Sequence, residues 1–364
     1  MYKEFYPLKE MKCKEKSSNF KKTGAFILFL SVLLCFLTAC EKQREVTYYQ
    51  YFDTVITLSA DSLSRADFEK HVKEAEEKIS FYHRLFDIYH EYAGVSNLCT
   101  VNKAAGSGVP VRIDQALFDF LSAACALYET TNGQMNIMMG AVTSLWNGAR
   151  ENAESGAAAL PTEATLAEAK KHTAIESLVL DEEKQTAYIS DPDASIDVGA
   201  FGKGYAAERV AEHLKAAGVS RGFVLNFGGN LRVIGNRKSG VPFTSGIHDP
   251  LENALGTYAL LLSLDDCSLV TSGSYFRYFE IDGVRYHHLI DPETARPADR
   301  FVSVSVLGKD SGVCDALSTA LFVMDRAEGE ALVDSLEGYE AVWILPSGEM
   351  LYTKGMEKYI IEKQ

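Results

Sequence analysis

Residues Ser195–Ile234 read SIDVGAFGKGYAAERVAEHLKAAGVSRGFVLNFGGNLRVI, and this passage decides the fold class. Ser195–Val198 has the look of a strand. Lys203–Ala217 carries apolar residues at helical spacing and is closed by Gly218. Gly222–Phe227 and Leu231–Ile234 read as strands around a Gly228-Gly229-Asn230 turn. A later passage repeats this order: strand Ser303–Leu307, helix Cys314–Met324, strand Ala341–Leu345 and turn Ser347-Gly348. An internal duplication would explain it, although the two passages share little residue identity. Outward from this centre, Val46–Ala60 alternates as one strand, and Phe68, Val72, Ala75, Ile79, Tyr82 and Phe86 form a helical stripe. Asp114 is placed to cap a second helix that ends before Gly133. Gly140–Ala159 is rich in Gly, Ala and Asn and reads as loop. Thr162–His172 reads as a short helix, and Leu178–Leu180 with Ala187–Ile189 as a hairpin. Helices interleaved with hairpins predict an α+β fold with largely antiparallel sheets and packed helices. No Pro- or Ser-rich linker divides it, so residues 48–364 are expected to be one compact unit.

The chain has 364 residues and a net charge of -14. Its first 39 residues are lysine-rich, so the remainder is more acidic still, which argues against nucleic-acid binding. A phosphate ligand would need a local cation. Lys12, Lys14, Lys16, Lys21 and Lys22 precede an apolar run, Ala25–Leu37, that fits a signal-peptide core better than a membrane span. The run ends in Leu37-Thr38-Ala39-Cys40, which resembles a bacterial lipobox. Residues 1–39 are therefore expected to be a lipoprotein signal peptide, Cys40 the lipidated residue and 40–47 a tether. An ordinary signal peptide or an uncleaved anchor is the alternative. Cys99, Cys125, Cys267 and Cys314 are scattered without metal-type spacing, and the sequence leaves their pairing open.

Three clusters could carry chemistry. In Asp197-Val198-Gly199-Ala200-Phe201-Gly202-Lys203-Gly204, glycines sit where a strand gives way to a helix, a junction whose free N–H groups suit a phosphate. The spacing does not match the dinucleotide fingerprint. A plain Gly-rich turn, with Asp197 as a cap and Lys203 in solvent, would read the same. In Cys314-Asp315-Ala316-Leu317-Ser318-Thr319, Asp315 and Thr319 are four apart and share a helix face, so carboxylate and hydroxyl can meet one hard cation. An N-capping Asp and a back-bonded Thr are the alternative. In Tyr286-His287-His288-Leu289-Ile290-Asp291-Pro292, neighbouring His residues on a strand point to opposite faces; they do not share a zinc, but one could act as a base. No Gly-x-Ser-x-Gly elbow supports a serine hydrolase.

Taken in order, IDVGAFGKGYA, NFGGN, VTSGSYFRY, HHLIDP and DALST resemble the motifs of the ApbE-type FAD:protein FMN transferases, over about Tyr48–Met356. The resemblance implies an ApbE-like (T-fold-like) architecture. It also implies magnesium-dependent transfer of FMN from FAD to a Ser or Thr hydroxyl of an acceptor protein, with release of AMP. Carried over residue by residue, it gives FAD contacts at Asp197 and Lys203 and metal ligands at Ala200 (through its backbone oxygen), Asp315 and Thr319. It gives a catalytic role to His288 and flavin contacts to Gln134, Met135, Asn136, Leu289 and Tyr89. It further implies an acceptor with a short flavinylation motif, such as a membrane redox complex subunit, and residence on the extracytoplasmic face of a bacterial membrane. Three departures stand out. Phe52-Asp53-Thr54 replaces Met-Gly-Thr, Asn136 replaces an Asp, and Ala295 ends a motif that usually ends in Gly. Two other readings stay open: an FAD pyrophosphatase using water, and a non-catalytic flavin-binding lipoprotein.

Overall fold

The computed structural model describes residues 43–61, 63–250 and 257–363, so the expected signal segment and Cys40 lie outside the described residues. The single strand expected over Val46–Ala60 is instead two, β1 (Arg44–Tyr48) and β2 (Ile56–Ala60), paired antiparallel. Phe52 and Asp53 turn the chain between them at φ of 56° and 49°. Asp53, standing where the resembling motif has glycine, thus adopts the left-handed conformation, and Asp is among the residues that tolerate it. Helix α1 (Arg65–Phe86) buries the expected stripe, with Ser64 accepting the Asp67 N–H at its start. Next come α2 (Leu98–Lys103), β3 (Val111–Arg112) and α3 (Gln115–Thr130). Asp114 caps α3 as expected, accepting from the Ala116 N–H at 2.8 Å.

The stretch expected as loop is helix α4 (Gly140–Glu154). Its apolar residues Val142, Leu145, Trp146, Ala149 and Ala153 line one face and pack with Leu166, Phe279 and Ala295. That burial outweighs the low helix propensity of its Gly, Thr and Asn residues. Helix α5 (Glu163–Lys170) and hairpin β4 (Leu178–Asp181)–β5 (Thr186–Ile189) follow as read. Ser195–Val198 is not a strand. Its backbone is held by Asn102, whose side chain bonds the Ile196 N–H and C=O, and by the Ile137 carbonyl, which accepts the Asp197 N–H at 2.8 Å.

Beyond it run α6 (Gly202–Ala216), β6 (Phe223–Phe227), β7 (Asn230–Ile234), β8 (Phe243–His248), β9 (Tyr258–Leu264) and β10 (Ser268–Gly273). Then come β11 (Tyr278–Ile281), β12 (Val284–His287), β13 (Ile290–Asp291), β14 (Arg296–Pro297) and β15 (Ser303–Gly308). Helices α7 (Ser311–Val323) and α8 (Arg326–Asp334) precede β16 (Glu340–Ile344), β17 (Met350–Tyr352) and β18 (Ile360–Lys363).

The main sheet has the order β1-β2-β6-β7-β10-β15-β16-β17, antiparallel throughout. Alternation sorts its side chains to two cores. Phe223, Leu225, Phe227, Val304, Val306 and Trp343 join the large cluster with α1, α6 and α7. Val233, Leu269, Leu307, Val342 and Ile344 pack on the other side against the small sheet β18-β9-β8. The α+β expectation holds. Cys99, Cys125, Cys267 and Cys314 are free thiols. No helix among the described residues is long and apolar enough to cross a membrane.

Candidate active site

The loop before α6 is nailed to the core by one side chain. Phe201 is 1% exposed and stacks on Phe120 at 5.1 Å, with Tyr205 edge-on to both. Burying a phenylalanine contributes about 2–3 kcal/mol, enough to keep a glycine-rich loop in one place. Phe201 at the bottom leaves Gly199, Ala200 and Lys203 around the rim. Asp197 accepts from Thr143 Oγ1 at 2.7 Å and from the Gly199 N–H at 2.8 Å, and Lys203 Nζ donates to the Gly199 carbonyl at 3.1 Å.

Helix α6 then opens irregularly. The Tyr205 N–H returns to the Phe201 carbonyl as in an ordinary first turn, but the Gly204 N–H turns aside to Asp315 Oδ2 at 2.8 Å. The Ala200 carbonyl, the usual acceptor four residues back, receives no backbone N–H among the described residues. Gly204 has to be glycine. A Cβ there would lie 2.3 Å from the Ser311 carbonyl oxygen and 2.4 Å from Asp315 Cβ.

Asp315 is buried on α7, and burial raises its pKa. Lys203, the Gly204 N–H and the Asn230 amide oppose that rise. Asn230 Nδ2 lies beside the carboxylate, but its geometry does not amount to a hydrogen bond, and it is itself buried without a partner. Its influence is therefore that of a nearby dipole. One turn on, Thr319 Oγ1 is 3.4 Å from Ser272 Oγ, which shares a 2.8 Å hydrogen bond with Ser318 Oγ. Ser318 also donates to the Asp315 carbonyl, so its hydroxyl is committed within the helix. A buried carboxylate, a hydroxyl one turn on along the same helix face and, at the start of α6, a carbonyl without a backbone donor among the described residues are hard oxygens of the kind magnesium takes. Asp315, Thr319 and Ala200 are the residues that would hold it.

His287 and His288 have separate fates. His287 is buried and donates from Nε2 to the Ala298 carbonyl at 2.6 Å, while its Nδ1 accepts the Leu289 N–H. His288 is solvent-exposed, with Nδ1 at 3.2 Å from the Arg277 carbonyl. A neutral ring that donates from Nδ1 keeps its lone pair on Nε2. Surrounding protein lowers the His288 pKa to about 4, the Arg277 carbonyl opposing and Lys203, Arg277 and His287 adding to the drop. Lys203 thus acts electrostatically on both His288 and Asp315. Arg277 in turn donates to the Asp53 carbonyl at 2.7 Å, tying the His288 segment to the β1–β2 turn.

The expected flavin contacts are more dispersed. Tyr89 is exposed, and partial desolvation by neighbouring protein, followed by the Asp197 charge, raises its pKa. Met135 and Leu289 are packed in the main core. Asn136 spends its amide on the Thr173 carbonyl and its oxygen on the Met138 N–H, which makes it a structural bracket; an aspartate could not donate the first bond. Gln134 reaches Glu293 and borders a surface hollow with Asn132, Met324 and Leu332. A separate cluster, His172 with Asp191 and Asp193, brings its ligand atoms within 4.8 Å of one another. There Asp191 bonds His172 at 2.8 Å and raises its pKa, favouring the protonated ring that cannot ligate. Sequence reasoning missed Thr143, hidden in the supposed loop. It gave no role to Asn230 or Arg277, although both lie in quoted motifs.

Comparison with known proteins identifies the family. Residues 52–343 match the model of the ApbE family. A Treponema pallidum protein named FAD:protein FMN transferase is 34% identical over 275 residues, covering 72% of this chain and 74% of its own. One of the same name from Haemophilus influenzae is 27% identical over 89% of this chain and 93% of its own. The crystal structure of the ApbE protein from Thermotoga maritima superposes with a TM-score of 0.77 at 25% identity, covering 88% of this chain and all of that one. The flavin transferase ApbE of Vibrio cholerae, at 23% identity, shares the fold with a TM-score of 0.73. This chain is a member of the ApbE family.

Proposed function

We propose that this chain is an FAD:protein FMN transferase whose reaction runs at the rim between α6 and α7. Family membership and relatives of that name over most of its length support the activity. The observation that carries the chemical reading is the buried Asp315 carboxylate, held on one oxygen by the Gly204 N–H, with the Ala200 carbonyl four residues before Gly204 receiving no backbone N–H among the described residues. A magnesium ion bound by Ala200, Asp315 and Thr319 would neutralise charge on the FAD pyrophosphate. Lys203 adds a positive charge on the same side, and that charge adds to the lowering of the His288 pKa that desolvation by the surrounding protein mainly causes. His288 Nε2 takes the proton from the acceptor's Ser or Thr hydroxyl. The hydroxyl oxygen bonds to the FMN phosphorus, the bridging P–O bond breaks, and AMP leaves with that bond's electrons. Asp197, braced by Thr143, shapes the loop on which the pyrophosphate rests.

The lysine-rich leader and Leu37-Thr38-Ala39-Cys40 support a lipid anchor at Cys40 on the extracytoplasmic face of a bacterial membrane. An acceptor with its motif on that face, such as a membrane redox subunit, fits the address. The test is incubation of the protein with FAD, magnesium and an acceptor domain, followed by mass spectrometry. Acceptor gaining one FMN supports the reading. Free FMN with unmodified acceptor would make the protein a pyrophosphatase, and no consumption of FAD would make it a binding protein.

A further inference from the structure

Helices α6 and α7 grip each other by a reciprocal pair of bonds. The Gly204 N–H of α6 donates to Asp315 of α7 at 2.8 Å, and the Ser311 N–H of α7 donates to Glu208 Oε2 of α6 at 2.7 Å. In each helix the donor lies four residues before the carboxylate, so the two contacts are the same contact viewed from opposite partners. The carboxylates differ in what else they meet. Glu208 is 5% exposed and paired with the buried Arg232, whose Nε lies 2.9 Å from Oε2 and 3.1 Å from Oε1. Among the described residues Asp315 makes no ion pair, and Lys203 acts on it only through its field.

The geometry points to Glu208 as a positioning residue that sets where Asp315 sits, and hence how tightly the site holds its divalent cation, without touching cation or substrate. This rests on the cation reading given above. Glu208 fixes the first residue of α7, and Asp315 lies one turn further along a rigid helix, about 6 Å away. Any drift of Ser311 is carried to the Asp315 carboxylate. Magnesium tolerates little such drift, because its oxygen ligands must lie close to octahedral positions. Residues that orient a metal ligand in this manner are typically worth about 10- to 100-fold in metal affinity. Oε2 alone accepts both Ser311 and Arg232, so a glutamine, with one oxygen, can keep the grip.

Three full-length variants test this. Glu208→Ala removes the acceptor and Glu208→Gln keeps it. Ser311→Pro deletes the donor while leaving Glu208 and Arg232 in place. Ser311 is the first residue of α7 and follows Asp310 in extended conformation, a position where proline is accepted. The main readout is the magnesium concentration that half-saturates the rise in melting temperature with FAD present and acceptor absent. The second is the transfer rate against magnesium. Glu208→Ala and Ser311→Pro should raise the half-saturating concentration at least about tenfold, with the rate at saturating magnesium within a few-fold of the parent and Glu208→Gln close to it.

A lower melting temperature with unchanged magnesium dependence would reduce Glu208 to a fold-stabilising role and overturn the proposal. If Glu208→Ala does not fold, Ser311→Pro decides on the same criterion. Asp315→Asn is run alongside. Should it also leave magnesium dependence untouched, the cation site itself is misassigned and the failure lies there.

Discussion

Replacing Gly204 by alanine adds one methyl group at the tightest point between the two site helices. The new carbon would stand 2.3 Å from the Ser311 carbonyl oxygen and 2.4 Å from Asp315 Cβ, whereas such atoms rest at about 3.5 Å. Backbone lies on one side and a Cβ on the other, so no rotamer relieves the clash and α6 and α7 must part by about 1 Å. Overpacking of this kind costs about 1–3 kcal/mol, which lowers the melting temperature by roughly 1–5 °C in a protein of this size. A 1 Å displacement of a reacting constellation can also cost about a hundredfold in rate. Thermal unfolding and the FMN-transfer assay would be run on Gly204→Ala beside Gly148→Ala. Gly148 lies inside α4 with nothing within 4 Å of an added Cβ, so alanine there should stabilise by up to about 1 kcal/mol. If Gly204→Ala melts and transfers like the parent, the close approach of the helices is not what the site depends on.

Asp315→Asn should lower transfer at least about a hundredfold, since a lost metal ligand removes several kcal/mol of charge stabilisation. In EDTA the same variant should melt no lower than the parent, because it deletes a carboxylate whose pKa burial raises and keeps an oxygen to accept the Gly204 N–H; a fall of several degrees would contradict that. His288→Asn should keep FAD binding while losing transfer by about 10²–10⁴-fold. The depressed His288 pKa means the unfolded chain takes up a proton first as pH falls below about 6.5. Its contribution to stability is therefore complete above that pH and is lost as pH falls towards the folded value near 4. Melting curves from pH 7 to 4.5 should be flatter for His288→Asn than for the parent. Ala295 holds φ at 56°, so Ala295→Gly should alter stability by no more than about 1–2 kcal/mol, relief of strain offsetting lost packing; melting and FAD titration would check it.

Much of this molecule was legible in its sequence, for identifiable reasons. Asp114, Thr162 and the Phe68–Phe86 stripe are local signals, and each is seen as read. Asp315 and Thr319 were placed on one helix face by spacing alone. The failures were of non-local cause. Helix α4 owes its stability to Trp146 and its neighbours packing on Phe279, a residue far along the chain. The Ser195–Val198 segment has strand-forming residues, but its hydrogen bonds go to Asn102 and Ile137, not to a neighbouring strand. The β1–β2 reversal was hidden because neither Phe52 nor Asp53 signals a left-handed turn as glycine would. The bond from Gly204 to Asp315 crosses 111 positions, and spacing rules do not reach that far.

The matched grips between α6 and α7 differ in what surrounds each carboxylate. Arg232 pairs directly with Glu208, whereas among the described residues Asp315 makes no ion pair and feels Lys203 only through its field. Glu208 is thereby a neutralised joint between the two helices, while Asp315 keeps a charge that a bound cation could share.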